Sequence, residues 1–250
     1  MSYLVSRYKK EVIRFGGVGY IAWYGRAHKY KPTSLKLMSR VGLGGWILDV
    51  GGGERSIGLP NFVNLDRFAY SGFVTVVGDA HFLPFKDEAF DLVLCEAVIE
   101  HLRKPWIAVE EFYRVLKPGG YIYADVAFMQ PVHSYPSHYF NMTMEGVKVL
   151  FEKFEEVESG VQEYQMPSYT LLYVISRYVR GLLPWLDRQS ENIEFYDTGT
   201  HIFHKSWVSS FLASLYGLFA RCLRCLDRLL KPERAIEIAA GVYYIGRKQR

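Results

Sequence analysis

Three carboxylates stand at the ends of three short apolar runs. Asp49 follows Trp46-Ile47-Leu48, Asp66 follows Phe62-Val63-Asn64-Leu65, and Asp79 follows Val76-Val77-Gly78. Behind the first comes Val50 and then Gly51-Gly52-Gly53. An apolar run that meets an acid and turns at once through glycines is how a buried parallel strand brings its backbone close to a ligand. Asp49 can face the ammonium of an amino-acid ligand or order the glycine loop. Gly51 and Gly53 let the backbone approach a ligand without a Cβ clash. Asp66 can accept hydrogen bonds from two ribose hydroxyls, because both its oxygens are acceptors. Asp79 falls within reach of an exocyclic amine on an adenine ring. Any one of these acids alone fits an ordinary structural role. The ordered set points to a nucleoside-containing cofactor held across the carboxyl ends of a parallel sheet.

Histidine is the side chain suited to taking a proton near neutral pH. His101 follows the fourth apolar run, and His133 and His138 lie in the stretch 130–141, just after the fifth. Loops at that edge line acceptor pockets in sheets of this kind. His133, His138 and His101 are therefore the candidate bases, against the alternative that they shape or pin the loops. His201 and His204 lie further on and could close over the site or stay on the surface. No metal site is assigned, because the carboxylates are not suitably interleaved with the histidines. Cys222 and Cys225 form a CxxC pair with no second pair nearby, so half the ligands of a zinc site are missing and ordinary helix packing is the reading. With Cys95 the chain has 3 cysteines, too few for a disulfide framework.

The elements that must position these residues alternate in βαβ fashion. Strands are expected at 46–50, 62–66, 74–78, 91–96, 120–126, near 155–161 and at 241–247. Leu35, Met38 and Val41 recur at helical spacing after Pro32-Thr33, and the glycines from Gly42 end that helix. Trp106, Val109, Tyr113 and Leu116 share one face of a helix that Lys117-Pro118-Gly119-Gly120 stops. Met142–Phe154 is amphipathic, with Thr143 as its cap. Only 12 residues separate Gly53 from Asp66, so the first helix of the pattern must be short or irregular. The chain divides into a basic helical cap over 1–45 and a catalytic domain over 46–250. Within the latter, 163–238 form a helical insertion, with helices at Tyr169–Leu186 and Lys205–Leu230.

Half of the 250 residues are hydrophobic and 16% are aromatic, enough for a full core. The net charge of +4 is uneven: nine basic residues stand against Glu11 alone in the first 40. A solvated arm or a contact with an anionic partner would account for it. The longest uncharged apolar run, Trp207–Ala220, has 14 residues, where a spanning helix needs about 20. Arg14 interrupts the early apolar stretch that a signal peptide would need. A cytoplasmic protein is expected, with peripheral membrane contact through the basic arm and the face carrying Trp207, Phe211, Leu215, Leu218 and Cys222.

The motifs resemble those of class I S-adenosylmethionine-dependent methyltransferases. They are Leu48-Asp49-Val50-Gly51-Gly52-Gly53, Asn64-Leu65-Asp66, Gly78-Asp79-Ala80 with Leu83-Pro84-Phe85, Phe90-Asp91-Leu92-Val93, Glu100-His101-Leu102, and Arg114-Val115-Leu116-Lys117-Pro118-Gly119-Gly120. The resemblance covers roughly 46–162 and the final strand. It implies a Rossmann-like α/β fold, doubly wound, with a mostly parallel seven-stranded sheet whose last strand is antiparallel. It implies S-adenosyl-L-methionine as cofactor, held by Asp49, Gly51, Gly53, Asp66, Asp79, Ala80 and Glu96. A nicotinamide dinucleotide is the rival, but Ser56 stands where its fingerprint needs a third glycine.

The acceptor is expected to be a sugar, a lipid-linked glycan or a similar hydroxylated small molecule, methylated on oxygen. An Asn/Asp-Pro-Pro-aromatic motif is absent after the fourth strand, where Cys95-Glu96-Ala97-Val98 stands, so a nucleic acid acceptor is not expected. A quinone-like lipid acceptor is the alternative within the same chemistry. A non-catalytic module that binds cofactor or docks on membranes is the alternative outside it.

Overall fold

The computed structural model describes residues 30–182 and 218–249, apart from 43, 54, 56, 70–72 and 134–136. The basic segment 1–29, His201, His204, Trp207, Phe211 and Leu215 lie outside the described residues. Helix α1 (Pro32–Val41) leads into β1 (Ile47–Val50), β2 (Phe62–Asp66), the two-residue β3 (Val76–Val77) and β4 (Phe90–Glu96). A 3-10 turn (Ile99–His101), α2 (Pro105–Val115), β5 (Leu116–Ala127), α3 (Met144–Leu150) and β6 (Glu155–Gly160) follow. Next come α4 (Pro167–Leu182), a helical stretch α5 over 218–227, the single turn α6 (Pro232–Ala235) and β7 (Gly241–Arg247).

The seven strands form one sheet in the order β3-β2-β1-β4-β5-β7-β6. β1 to β5 are parallel, and β7 runs antiparallel to both β5 and β6. This is the Rossmann-like order expected from the sequence. Side chains alternate across each strand. Leu48, Val50, Val93 and Cys95 join the core cluster on one face, together with Val109 and Phe112 of α2 and Val147 of α3. Ile47, Leu92, Leu94 and Tyr123 join a second cluster on the other face with Leu37 and Met38 of α1. Both faces are covered, which is why the central strands read as continuous apolar runs.

Several details depart from the sequence reading. Helix α2 buries Pro105, Ala108, Val109, Phe112 and Val115, while Trp106 is exposed, so its inner face is turned from the one expected. β5 begins at Leu116, directly after α2, and takes Lys117-Pro118-Gly119-Gly120 into the strand. The pairing shifts register between Phe90 and Leu92 to admit the extra residues, a bulge that the glycines permit. α3 is shorter than expected, although Thr143 does cap it: its hydroxyl accepts the Gly146 N–H at 3.1 Å. No helix lies between β1 and β2 among the described residues. Cys222 and Cys225 are exposed on α5 instead of packed. Among the described residues no helix is long and apolar enough to cross a membrane.

Candidate functional site

Strand parity decides which side of the sheet each acid occupies. Asp49 shares its face with Ile47, Glu96 with Leu92 and Leu94, and Asp125 with Tyr123. β1, β4 and β5 are adjacent, and Glu96 pairs with Asp125 in register. Three carboxylates thus meet at the carboxyl edge of the sheet, all of them buried. Such a set needs cations. Arg55, from the irregular stretch after the glycine turn, donates from Nη2 to Asp49 Oδ1 at 3.0 Å and from Nη1 to Glu96 Oε2 at 2.8 Å. Lys31, just before α1, lies 3.9 Å over the ring of Tyr164 and feels the charges of Glu96 and Asp125. The Tyr30 hydroxyl donates to Asp49 at 2.6 Å, and Tyr164 and Gln165 donate to Asp125.

Burial raises Asp49 to a pKa of about 6 against the pull of Arg55. Burial likewise raises Asp125 to about 6, opposed by its bond from Tyr164. Burial also lowers the Lys31 ammonium below its ordinary value. One buried acceptor, Glu96 Oε1, has no hydrogen-bond partner among the described residues.

A cavity of about 790 Å³ opens along this edge. Gly51, Gly53, Asp66, Asp79, Ala80 and Glu96 all line it. Asp49 does not; it sits behind the wall and orders the glycine turn through Arg55. Gly51 and Gly53 have φ of 71° and 54°, backbone that L side chains rarely adopt. Asp66 accepts from the Gly53 N–H at 3.0 Å and the Phe68 N–H at 3.2 Å, so each oxygen has a lone pair left. At Asp79, burial is outweighed by hydrogen bonds from the backbone and ring of His81, which hold its carboxyl below the usual range. Ala97 leaves β4 at φ 56°, a strained conformation on the cavity wall.

The other end of the cavity holds imidazoles. His101 and His133 line it, and their rings meet edge to face at 5.1 Å. His101 Nδ1 faces the Ser137 carbonyl at 2.8 Å, and His133 Nδ1 faces the Pro131 carbonyl at 3.2 Å. A carbonyl only accepts, so Nδ1 carries the proton in both rings and each Nε2 keeps a lone pair. Burial, foremost, lowers His133 to about 4 and His101 below its ordinary value, which favours the neutral ring in each. His138 is placed differently. Its Nε2 faces the Phe140 carbonyl at 3.0 Å and Asn141 Oδ1 at 2.8 Å, while its Nδ1 accepts the His133 N–H at 3.3 Å. Both nitrogens are engaged, and its ring packs 4.4 Å from that of His133 outside the lining. His138 thus ties position 133 to 140 and 141 within the loop.

The sequence reading missed Glu100, Arg55, Tyr30 and Lys31. Glu100 is 1% exposed on the 3-10 turn and lines the cavity. Its Oε1 stands 4.0 Å from His133 Nε2, and burial raises its carboxyl to about 8. The signal was its place directly before His101.

Residues 60–124 match the methyltransferase domain family. They lie in the Rossmann-like sheet described above. The chain is 40% identical over 63 residues to an uncharacterized methyltransferase of Schizosaccharomyces pombe, 25% of this chain and 23% of that protein. It is 38% identical over 86 residues to the ubiquinone/menaquinone biosynthesis C-methyltransferase UbiE of Xanthomonas oryzae pv. oryzae, 34% of this chain and 33% of that one. It therefore spans about a third or less of the length of these relatives. A solved SAM-dependent methyltransferase of Thermotoga maritima, described as a possible histamine N-methyltransferase, is 18% identical, with a TM-score of 0.49 and 100% of both chains covered.

The cofactor that the domain implies is S-adenosylmethionine, and the residues present fit it. Glu96 Oε1, buried and unpartnered on the wall, suits an ammonium. Asp66 keeps acceptor capacity for a ribose. A Cβ at Gly52 would fall 2.4 Å from Asn64 Oδ1 and 2.6 Å from Asp49 Oδ2, so the turn that must approach the ligand admits no side chain there.

Proposed function

We propose that this protein is an S-adenosylmethionine-dependent methyltransferase that methylates a hydroxyl oxygen of a sugar, a lipid-linked glycan or a similar small molecule. One observation carries the reading: a single cavity joins the glycine turn and strand-end acids to the imidazoles of His101 and His133. When bound, the cofactor supplies an electrophilic methyl carbon on a sulfonium. Glu96 and Asp66 hold the ammonium and ribose ends, and Asp79 and Ala80 flank the adenine. The acceptor lies between Tyr139, Gln130 and the two imidazoles. An alcohol must lose its proton as its oxygen is alkylated, so it needs an acceptor within hydrogen-bond reach. The Nε2 of His133 or His101 takes that proton, and the bonds from Nδ1 to backbone carbonyls keep the lone pair aimed inward.

A quinone-like acceptor is the second reading, favoured by the C-methyltransferase named among the similar proteins and by exposed Leu171, Val174, Tyr178 and Leu182 on α4. Against it, the cavity that His133 lines also carries Glu100, Gln130, Asp125 and Gln165, polar groups that an apolar ring beside them would leave unsolvated. The test is methyl transfer from labelled cofactor to two panels of acceptors, hydroxylated sugars with their lipid-linked forms, and quinols. Label in the first panel supports the proposal. Label confined to the second replaces the oxygen acceptor with a quinol, and label in neither removes the activity.

A further inference from the structure

We infer that Glu100, His101 and His133 form a binding site for one divalent transition-metal ion of the zinc class, with its open coordination positions facing the cavity. One donor atom from each of the three side chains lies within 4.8 Å of the other two. Two imidazoles and one carboxylate are a donor set that such ions take, leaving places for water or a substrate oxygen.

Two independent features point to an ion. The first is the orientation of the rings. Metal-bound histidine almost always donates its other ring N–H to a carbonyl or carboxylate, which fixes the tautomer. Here His101 Nδ1 faces the Ser137 carbonyl and His133 Nδ1 the Pro131 carbonyl, which leaves Nε2 of each ring as its free donor atom. His138 buttresses the second ring, and its own nitrogens are engaged elsewhere. The second is Glu100. Its side chain is almost wholly buried, and Oε2 has no hydrogen-bond partner among the described residues. No Lys or Arg ion pair to it is present among them either. Without a cation such a buried carboxyl avoids its charge by holding a proton; an ion among the three donors would displace that proton and bind the carboxylate.

Bonds of about 2.0–2.2 Å in a tetrahedral site place donors about 3.4 Å apart, so closing on an ion takes less than about 1 Å of movement from each side chain. The Glu100 carbonyl fixes the facing loop by accepting the Tyr139 N–H at 2.8 Å. The inference deepens the proposed activity: with Nε2 of both rings on the ion, the acceptor hydroxyl would bind an open position and give its proton to water or to a metal-bound hydroxide instead of to an imidazole. The binding of the ion does not depend on that activity.

The test uses the full chain, stripped with a chelator and titrated calorimetrically with Zn²⁺, and with Co²⁺ followed by its visible spectrum. The wild type is expected to take up one equivalent, with Co²⁺ bands lacking the thiolate charge-transfer signature. Glu100→Gln and His133→Ala should each weaken binding at least about tenfold. A circular dichroism melt of each variant reports folding, and His101→Gln serves where one of them unfolds. The inference is overturned if the wild type binds no ion or if the folded variants bind as tightly as the wild type. It is also overturned if Cys222→Ser with Cys225→Ser abolishes uptake, which would move the ion to the exposed thiols. Metal uptake without methyl transfer would keep the site and remove the proposed activity; transfer that persists in the stripped protein would keep the activity without the ion's help.

Discussion

Arg55 Nη1 lies 2.8 Å from Glu96 Oε2, joining the turn after β1 to the end of β4 across the floor of the cavity. The same guanidinium holds Asp49 Oδ1 at 3.0 Å, with side-chain exposures of 6%, 3% and 0% for Arg55, Glu96 and Asp49. Removing one partner from a buried set of charges leaves the others uncompensated. Arg55→Ala should therefore destabilise the protein by about 3–5 kcal/mol, measured by urea denaturation. It should also loosen the glycine turn and weaken cofactor binding. A variant as stable as the wild type would mean that the guanidinium is not the counter-charge of Asp49 and Glu96.

His133 and His138 should separate in turnover, although they are neighbours in sequence and space. His133→Ala removes an Nε2 lone pair from the cavity and should lower turnover by about 10²–10⁴-fold, with cofactor affinity kept within about twofold. His138→Ala removes only a loop prop and should lower turnover less. Steady-state rates beside a cofactor titration decide this. Full activity in His133→Ala would take that residue out of the chemistry.

Asp125 should leave a mark on the pH dependence of stability. Burial holds its folded pKa at about 6, above the model-peptide value of about 3.9. The folded state binds the proton more tightly, so the contribution is fully present below pH about 4 and is lost as pH rises through about 6. Asp125→Asn removes the titration. Thermal melts from pH 4 to 7 should show a shallower fall for the variant than for the wild type. Parallel curves would mean that Asp125 ionises normally.

Much of this was legible because the strands between covered faces must be apolar along their whole length. Ile47–Val50, Phe62–Asp66 and Gly241–Arg247 stand where their runs predict them. Prolines and glycines marked the ends of α1, and Thr143 its own cap. The failures have a common cause. Sequence shows that Asp49 ends an apolar run, but not that Tyr30 and Arg55 come together around it behind the cavity wall. Arg55 lay in the short connection where an irregular helix was expected, whereas burial beside two acids 47 residues apart made it a structural ion. Glu100 was passed over because its carboxylate matters only once the loop carrying His133 folds back over it. The inner face of α2 turns on Ala108 and Phe112, and the Trp106 indole stands at the exposed edge beside Phe140.

The central claim is that a nucleoside cofactor lies along the strand ends with its ribose on Asp66. The most direct measurement is calorimetric titration of the full chain with S-adenosylmethionine and with its demethylated product, beside Asp66→Ala and Asp66→Asn. The account predicts micromolar binding by the wild type and at least about a tenfold loss in Asp66→Ala, since a buried ribose would lose two charge-assisted hydrogen bonds. Asp66→Asn should fall between them. No binding by the wild type, or equal affinity in Asp66→Ala, would contradict the account.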